Sequence, residues 1–264
     1  MLEEAGRIAE EAGALLMERF GRLSAGEIER QGRRDVSTAA DRDAEALIVR
    51  RLARRFPDHR VLGEESVKEG RGALALQPGP TWIVDPLDGT VNFVQGIPYF
   101  CVSLGLVQDG RPVLGVIHAP ALRQTFLGAP GSGAFEGDRP ISVSATPFLE
   151  DSVVATGFAY DRNNLADTNI DNFVSIGMKV RGMRRLGAAA LDLAYVASGR
   201  LDAFWELHLK PWDVAAGAAI LRAAGGRVSD QRGGEDWLFG GHIVASNGLV
   251  HEELRRCLAS LKAL

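Results

Sequence analysis

Apolar positions along the chain switch between a helical and an extended period, and the switches mark out its elements. Leu2, Ile8, Leu15, Leu16 and Phe20, with alanines between them, form one helical face over residues 2–20, and Gly21 is a fitting stop. Residues 21–37 are polar, punctuated by glycine and basic at Arg30, Arg33 and Arg34, which reads as a loop or short strand. Thr38 can cap a second helix that carries Ala44, Leu47, Ile48 and Leu52 on one face and ends at Phe56 before Pro57. Residues 59–62 read as a short strand running into Gly63-Glu64-Glu65-Ser66, followed by a Gly/Pro-rich loop over 67–80. The run Trp82-Ile83-Val84 reads as a buried strand within 81–85. It is predicted to stop at Asp85, because Pro86 cannot continue a central strand.

From Tyr99 the pattern becomes that of an antiparallel meander. Strands are predicted over 99–107, 112–118, 124–128 and 133–136, with Asp109-Gly110 as a hairpin turn. With the two leading helices, this makes residues 1–145 an α+β unit. The second half alternates. Strands are predicted at 153–156, 201–207, 226–229 and 242–245, and helices at 164–179, 187–198, 213–224 and 248–262. That order makes residues 146–264 an α/β unit with a mixed sheet. No repeat or flexible linker separates the halves, so they are expected to pack as one unit.

Composition narrows the function classes. The 264 residues are 46% hydrophobic and 24% charged, ordinary for a globular protein, and the net charge of −4 makes no case for nucleic-acid or membrane binding. Cys101 and Cys257 have neither metal spacing nor a disulfide framework. The chain begins Met-Leu-Glu-Glu, without a basic region and apolar core, so no signal peptide is expected. No apolar run approaches the ~20 residues that cross a bilayer. A cytoplasmic protein is the expectation.

The candidate chemistry centres on Asp85-Pro86-Leu87-Asp88-Gly89-Thr90. Pro86 holds Asp85 extended, Asp88 follows across the turn, and Gly89 lets the backbone turn sharply before a helix start. Two readings are open: an ordinary polar turn, or a site for a hard cation and a phosphate. Glu64, Asp85, Asp88 and Asp213 all fall at predicted strand ends or helix starts, which suggests one shared site. Clustered carboxylates repel and have raised pKa values unless cations neutralise them, and oxygen-only ligands favour Mg²⁺. His59, His118, His208, His242 and His251 show no ligand spacing. Asp213 also reads as an N-cap, although the tiny residues after it, Val214-Ala215-Ala216-Gly217-Ala218, permit closer backbone approach than a cap needs. Gly131-x-Gly133 is flanked by strands and is discounted as a dinucleotide motif. Arg54-Arg55 and Arg184-Arg185 read as solvated faces.

Three stretches together resemble the inositol monophosphatase family of Mg²⁺-dependent, lithium-sensitive phosphatases. They are W-I-V-D-P-L-D-G-T-V-N-F from Trp82 with G-I-P at Gly96, G-E-E-S at Gly63, and P-W-D-V-A-A-G-A at Pro211 with A-G-G at Ala224. The resemblance spans nearly the whole chain. It implies a layered αβαβα sandwich with the site between two sub-domains, a homodimer, and two or three Mg²⁺ ions. Glu64, Asp85 and the Leu87 carbonyl would hold the first ion, and Asp85, Asp88 and Asp213 the second, with Glu64 serving a weaker third. Thr90, paired with Asp41, would hold the attacking water, with Glu65 a weaker candidate for assisting it. The Gly89–Thr90 amides would cradle the phosphate. Asp88 and Asp213 would also face a substrate hydroxyl, and Gly187, Ala188, Ala189 and Glu206 the polyol ring. Ala188, where some members carry a hydroxyl, and Arg30, where some carry lysine, depart from the pattern.

The resemblance makes the expected reaction hydrolysis of a small polyol phosphate, foremost myo-inositol monophosphate. The same chemistry on fructose 1,6-bisphosphate, histidinol phosphate or adenosine 3′,5′-bisphosphate is the nearest alternative. An RNA- or transcription-associated binding role, linked to some bacterial relatives, is the alternative of a different class, and the acidic chain speaks against it.

Overall fold

The computed structural model describes the chain except residues 25, 27, 31–35, 71–73, 75, 77 and 261–264 and the side chains of residues 30, 259 and 260. Arg33, Arg34, the Arg30 side chain, parts of the predicted loop at 67–80 and the last two residues of the predicted helix 248–262 therefore lie outside the described residues.

α1 (Leu2–Arg19) and α2 (Ala39–Arg55) form where their apolar faces place them, with Thr38 as the cap of α2 through Oγ1, which accepts the Ala40 N–H at 3.1 Å. Between them, β1 (Ile28–Arg30) and β2 (Val36–Thr38) pair antiparallel. A seven-stranded sheet follows: β3 (Arg60–Gly63), β4 (Thr81–Asp88), β5 (Cys101–Gln108), β6 (Arg111–Ala119), β7 (Gln124–Ala129), β8 (Gly133–Glu136) and β9 (Arg139–Ile141). Its strands lie in chain order, parallel between β3 and β4 and antiparallel thereafter. Short helices α3 (Glu64–Lys68) and α4 (Thr90–Val94) leave the ends of β3 and β4.

The second sheet has the order β11-β10-β12-β14-β13, from β10 (Val153–Thr156), β11 (Gly182–Arg184), β12 (Ala203–Leu207), β13 (Arg227–Ser229) and β14 (His242–Ser246). It is parallel on both sides of β10 and antiparallel on both sides of β14. Its helices are α5 (Ile170–Gly177), α6 (Ala189–Ala197), α7 (Pro211–Ala223), α8 (Trp237–Gly240) and α9 (His251–Ser260).

Alternation along β4 sets the layers. Trp82 and Val84 pack with Ile8, Leu16, Ile48 and Leu52 of α1 and α2, while Ile83 packs into the cluster holding Leu191, Leu193, Ala216 and Ile220 of α6 and α7. Phe204 and Ile243 of the second sheet join that middle cluster, and Trp205 and Val244 face Ile176, Leu254 and Leu258 of α5 and α9 outside. The result is the αβαβα sandwich. Among the described residues, no helix is long and apolar enough to cross a membrane.

Several boundaries differ from the sequence reading, each for a tertiary reason. β4 does not stop at Asp85 but runs through Pro86 to Asp88. Its pairing with β3 ends at Val84, and its register with β5 shifts between Asp85 and Asp88, so the missing Pro86 N–H falls in a bulge where no ladder bond is lost. The helix predicted over 164–179 shrinks to α5, because Asn169 holds a left-handed backbone before it. Its amide donates to Thr156 Oγ1 at 2.9 Å and to the Gly157 carbonyl at 2.8 Å, and accepts from Trp205 Nε1 at 2.8 Å. α7 begins two residues early, at Pro211, whose fixed φ and absent N–H suit a first helical position. Asp213 is consequently in the first turn rather than the cap. β9, β11 and α8 are too short to show a period in the sequence.

The small residues of α7 have a packing role. A Cβ at Gly105 of β5 would stand 2.7 Å from Ala216 N, one at Gly128 of β7 2.8 Å from Ile220 Cα, and one at Gly115 of β6 would overlap the Ala216 carbonyl. Glycine on three neighbouring strands thus lets α7 lie directly on the sheet backbone. Gly115→Ala is expected to cost about 3 kcal/mol or more through overpacking. A thermal unfolding scan checks this; an unchanged Tm would mean that α7 can shift freely.

Candidate active site

The site is built where the ends of β3 and β4 meet the starts of α3, α4, α6 and α7. The β4 bulge turns Asp85 inward, and its Oδ1 accepts the Leu87 N–H at 3.0 Å. Asp88 closes the strand, and its Oδ2 accepts the Ala190 N–H of α6 at 2.7 Å. Gly89 then takes a φ of 91°, and a Cβ there would lie 3.0 Å from the Tyr99 carbonyl, so both conformation and space require glycine. Thr90 opens α4, and its single hydroxyl hydrogen is shared between the Leu87 carbonyl at 3.0 Å and Asp41 Oδ1 at 3.2 Å. The other oxygen of Asp41 accepts from Thr38 N at 2.9 Å and Thr38 Oγ1 at 2.6 Å. Asp213 arrives with α7, its Oδ2 accepting the Lys210 N–H at 2.6 Å.

Asp85, Asp88 and Asp213 each bring a carboxylate oxygen within 4.8 Å of the other two. Glu64 is in hydrogen-bonding contact with Asp85 and pairs with Lys68 Nζ at 2.8 Å; Lys68 also reaches Glu65 at 3.3 Å. The crowding shows in the ionisation of these groups. Burial, then the charges of Glu64, Asp88 and Asp213, push Asp85 far above the usual carboxylate range. Burial and Asp213 do the same to Asp88. Burial and Glu64 raise Asp213 to about 7, burial raises Glu65 to about 7, and burial, against the Thr38 hydrogen bonds, raises Asp41 to about 6.

A cleft of about 930 Å³ opens above this group. Glu64, Asp88, Asp213, Gly187, Ala188, Ala189 and Glu206 line it. Glu206 is buried, and burial raises it well above its ordinary value against the nearby Arg185 charge. A Cβ at Gly157 would overlap its carboxylate. Gly187 has a φ of 93°, and Asn92 Nδ2 donates to the Leu186 carbonyl beside it at 2.8 Å, which holds the start of α6 against α4. The fold therefore brings the acidic residues, Thr90 with Asp41, and the Gly187–Ala189 and Glu206 wall of the cleft into one region, while the Arg30 side chain lies outside the described residues.

Sequence reasoning missed Glu45, Lys68 and Asp192. Asp192 is buried beside the cleft, accepts Tyr99 OH at 2.7 Å, and is raised by burial to about 7. Only Glu45 had a legible signal, its helical spacing from Asp41.

The donor set fits a hard divalent cation. It is oxygen-only, and the buried carboxylates cannot all ionise at neutral pH without positive charge among them. An αβαβα sandwich with this acidic cluster at the base of an open cleft defines a class, the metal-dependent phosphatases.

The sequence pattern of the Inositol monophosphatase family matches residues 1–262. The chain belongs to the inositol monophosphatase family, whose members are metal-dependent phosphatases, generally using Mg²⁺. It is 43% identical over 251 residues to an inositol-1-monophosphatase of Synechocystis sp., covering 94% of this chain and 85% of that protein. It is 42% identical over 254 residues to the Nus factor SuhB of Pseudomonas aeruginosa, covering 94% and 91%. The solved inositol monophosphatase of Anabaena superposes with a TM-score of 0.87 at 41% identity, covering 98% of this chain and 95% of that one.

Proposed function

We propose that the site hydrolyses the phosphate monoester of a small polyol, with myo-inositol monophosphate to inositol and phosphate as the leading reaction. The observation that carries it is the convergence of Asp85, Asp88 and Asp213 within 4.8 Å beneath a cleft lined by Glu206. Asp85, Asp88 and Asp213, with Glu64 and the Leu87 carbonyl, would hold two or three Mg²⁺ ions. When bound, Mg²⁺ supplies positive charge against the phosphate oxygens and an acidified water.

The chain's own residues orient the rest. Thr90 holds the attacking water by accepting a hydrogen bond from it through the hydroxyl oxygen, whose own hydrogen is directed to Asp41 and the Leu87 carbonyl. Asp41 accepts from Thr90 when ionised, which holds above about pH 6. Glu65 is a weaker candidate for assisting the water. The Gly89–Thr90 turn faces the phosphate. Asp88, Asp213 and Glu206, with the small surfaces of Gly187, Ala188 and Ala189, face the polyol hydroxyls. The water oxygen bonds to phosphorus, the ester P–O bond breaks, and of the two water protons one passes to the leaving alcohol oxygen and the other stays with the phosphate.

The protein acts as a cytoplasmic homodimer. Ile170 and Val174 on α5, with Met178 just past its end, form an exposed apolar stripe that suits a subunit contact, and sedimentation equilibrium measures the state.

A panel of inositol 1-phosphate, fructose 1,6-bisphosphate, histidinol phosphate and adenosine 3′,5′-bisphosphate, assayed with and without Mg²⁺ and with added Li⁺, tests the reading. The highest kcat/KM is expected for the inositol ester, with turnover lost without Mg²⁺ and depressed by Li⁺. A different preferred ester would move the substrate and leave the chemistry; Mg²⁺-independent turnover would sink both. A second reading, a part in transcription, is favoured by one observation, the relative named Nus factor SuhB. Binding of RNA or of the transcription machinery that survives Asp88→Asn would separate that role from the hydrolase site.

A further inference from the structure

Glu45 lies on α2 four residues after Asp41, so the two carboxylates leave the same face of one helix. Asp41 reaches Thr90 at the end of β4. Glu45 reaches the end of β3. Its Oε2 accepts the Glu65 N–H at 2.8 Å, and its Oε1 accepts the Ser66 N–H at 2.8 Å and Ser66 Oγ at 2.5 Å. Glu45 is only 3% exposed, a burial that a carboxylate tolerates when its oxygens are bonded in this way.

α3 needs such a partner. It is five residues long, too short to be stable by itself, and its N-cap is Gly63, which has no side chain to bond the free N–H groups of the first turn. Gly63 is itself dictated by Glu45, because a Cβ there would stand 2.5 Å from the Glu45 carboxyl carbon. A distant residue thus caps α3, and the first residue of the turn it caps is Glu64, the group in contact with Asp85.

We propose that Glu45 is a positioning residue for the cation site: by docking the first turn of α3 on α2, it holds the Glu64 carboxylate at Asp85 and so sets the affinity for Mg²⁺. α2 then aligns both edges of the site from one face, the water-holding Thr90 through Asp41 and the acidic Glu64 through Glu45. This rests on the metal-dependent reading above. Groups that orient metal ligands from outside the coordination sphere typically carry 10–100-fold in affinity.

The test is calorimetric titration of Mg²⁺ into the metal-free protein, beside the Mg²⁺ dependence of turnover. Glu45→Gln keeps the shape of the side chain but turns an N–H donor toward another N–H. Its Mg²⁺ midpoint is expected to rise about 10–100-fold, with kcat recovered at saturating Mg²⁺. Ser66→Ala removes one of the three contacts and keeps the backbone bonds, so it folds normally and shows a smaller rise of the same sign. A general loss of packing would instead lower kcat without recovery and leave the midpoint in place. Midpoints unchanged in both variants, beside a normal wild-type titration, overturn this inference alone. Should Glu45→Gln not fold, the Ser66→Ala midpoint decides. A wild-type protein that takes up no Mg²⁺ overturns the metal reading, and this inference with it.

Discussion

Asp88→Asn is expected to release phosphate roughly 10³-fold more slowly, because charge stabilisation worth several kcal/mol is removed at the reacting group. The fold is expected to survive. Asparagine can keep the 2.7 Å bond from the Ala190 N–H through its carbonyl oxygen, so the junction of β4 and α6 stays closed. Removing one negative charge from the buried trio also relieves repulsion, so the metal-free variant should unfold at a higher temperature than the metal-free parent. The two readouts separate mechanism from architecture. Phosphate release by a coupled assay should collapse while Tm without metal rises. Turnover near that of the parent would remove Asp88 from the site, and a lowered Tm would show that its charge is compensated in some other way.

Metal-free protein is expected to lose stability as pH rises through neutrality, and Mg²⁺ is expected to abolish the loss. The sign follows from linkage. Asp213 titrates at about 7 in the fold against 3.8 as a free side chain; burial and the Glu64 charge push Asp85 well above its ordinary value, and burial and the Asp213 charge do the same to Asp88. A carboxylate with a raised folded pKa binds more protons folded than unfolded, so stability falls with pH until the folded pKa is passed. His251 opposes this at lower pH. It is buried between Ser229 and Ser246, and burial depresses it from 6.5 to about 4, so its contribution is lost as pH falls below about 6.5. The clean window is therefore pH 6.5 to 8. There Asp213 alone should cost the metal-free fold up to about 1 kcal/mol, discounted for its opening to the cleft, and Asp85 and Asp88 add to the cost with the same sign. In Tm the Asp213 share is a fall of up to about 2–4 °C for a chain of this size, and the measured fall is expected to exceed it. Scans in chelator at several pH values, repeated in millimolar Mg²⁺, measure it. A metal-free Tm that is flat or rising across the window would mean that the carboxylates do not share charge as their geometry implies.

Much of this protein is legible in its sequence. The helical faces of α1 and α2, the β5–β6 hairpin at Asp109-Gly110 and the strand Val153–Thr156 follow from local period and turn chemistry, which neighbouring residues determine among themselves. The identities of the acidic residues, and the resemblance they carry, were likewise written in three short stretches. Local pattern stopped where distant contacts decide. Pro86 reads as the end of a strand, yet a bulge absorbs its missing donor and carries β4 on to Asp88. Asp213 reads as a cap, yet the helix starts two residues earlier and places it in the first turn.

The distances were beyond the sequence altogether. Asp85 and Asp213 are 128 positions apart and meet only because Gly105, Gly115 and Gly128 let α7 rest on bare sheet backbone. Nothing local marked Glu45 as the cap of a helix twenty residues away. The sequence alone determined which groups could do the chemistry, since donor type and turn conformation are properties of single residues and their neighbours. Tertiary structure alone decided that the groups share one buried place, where desolvation and mutual repulsion raise their pKa values and make a cation necessary.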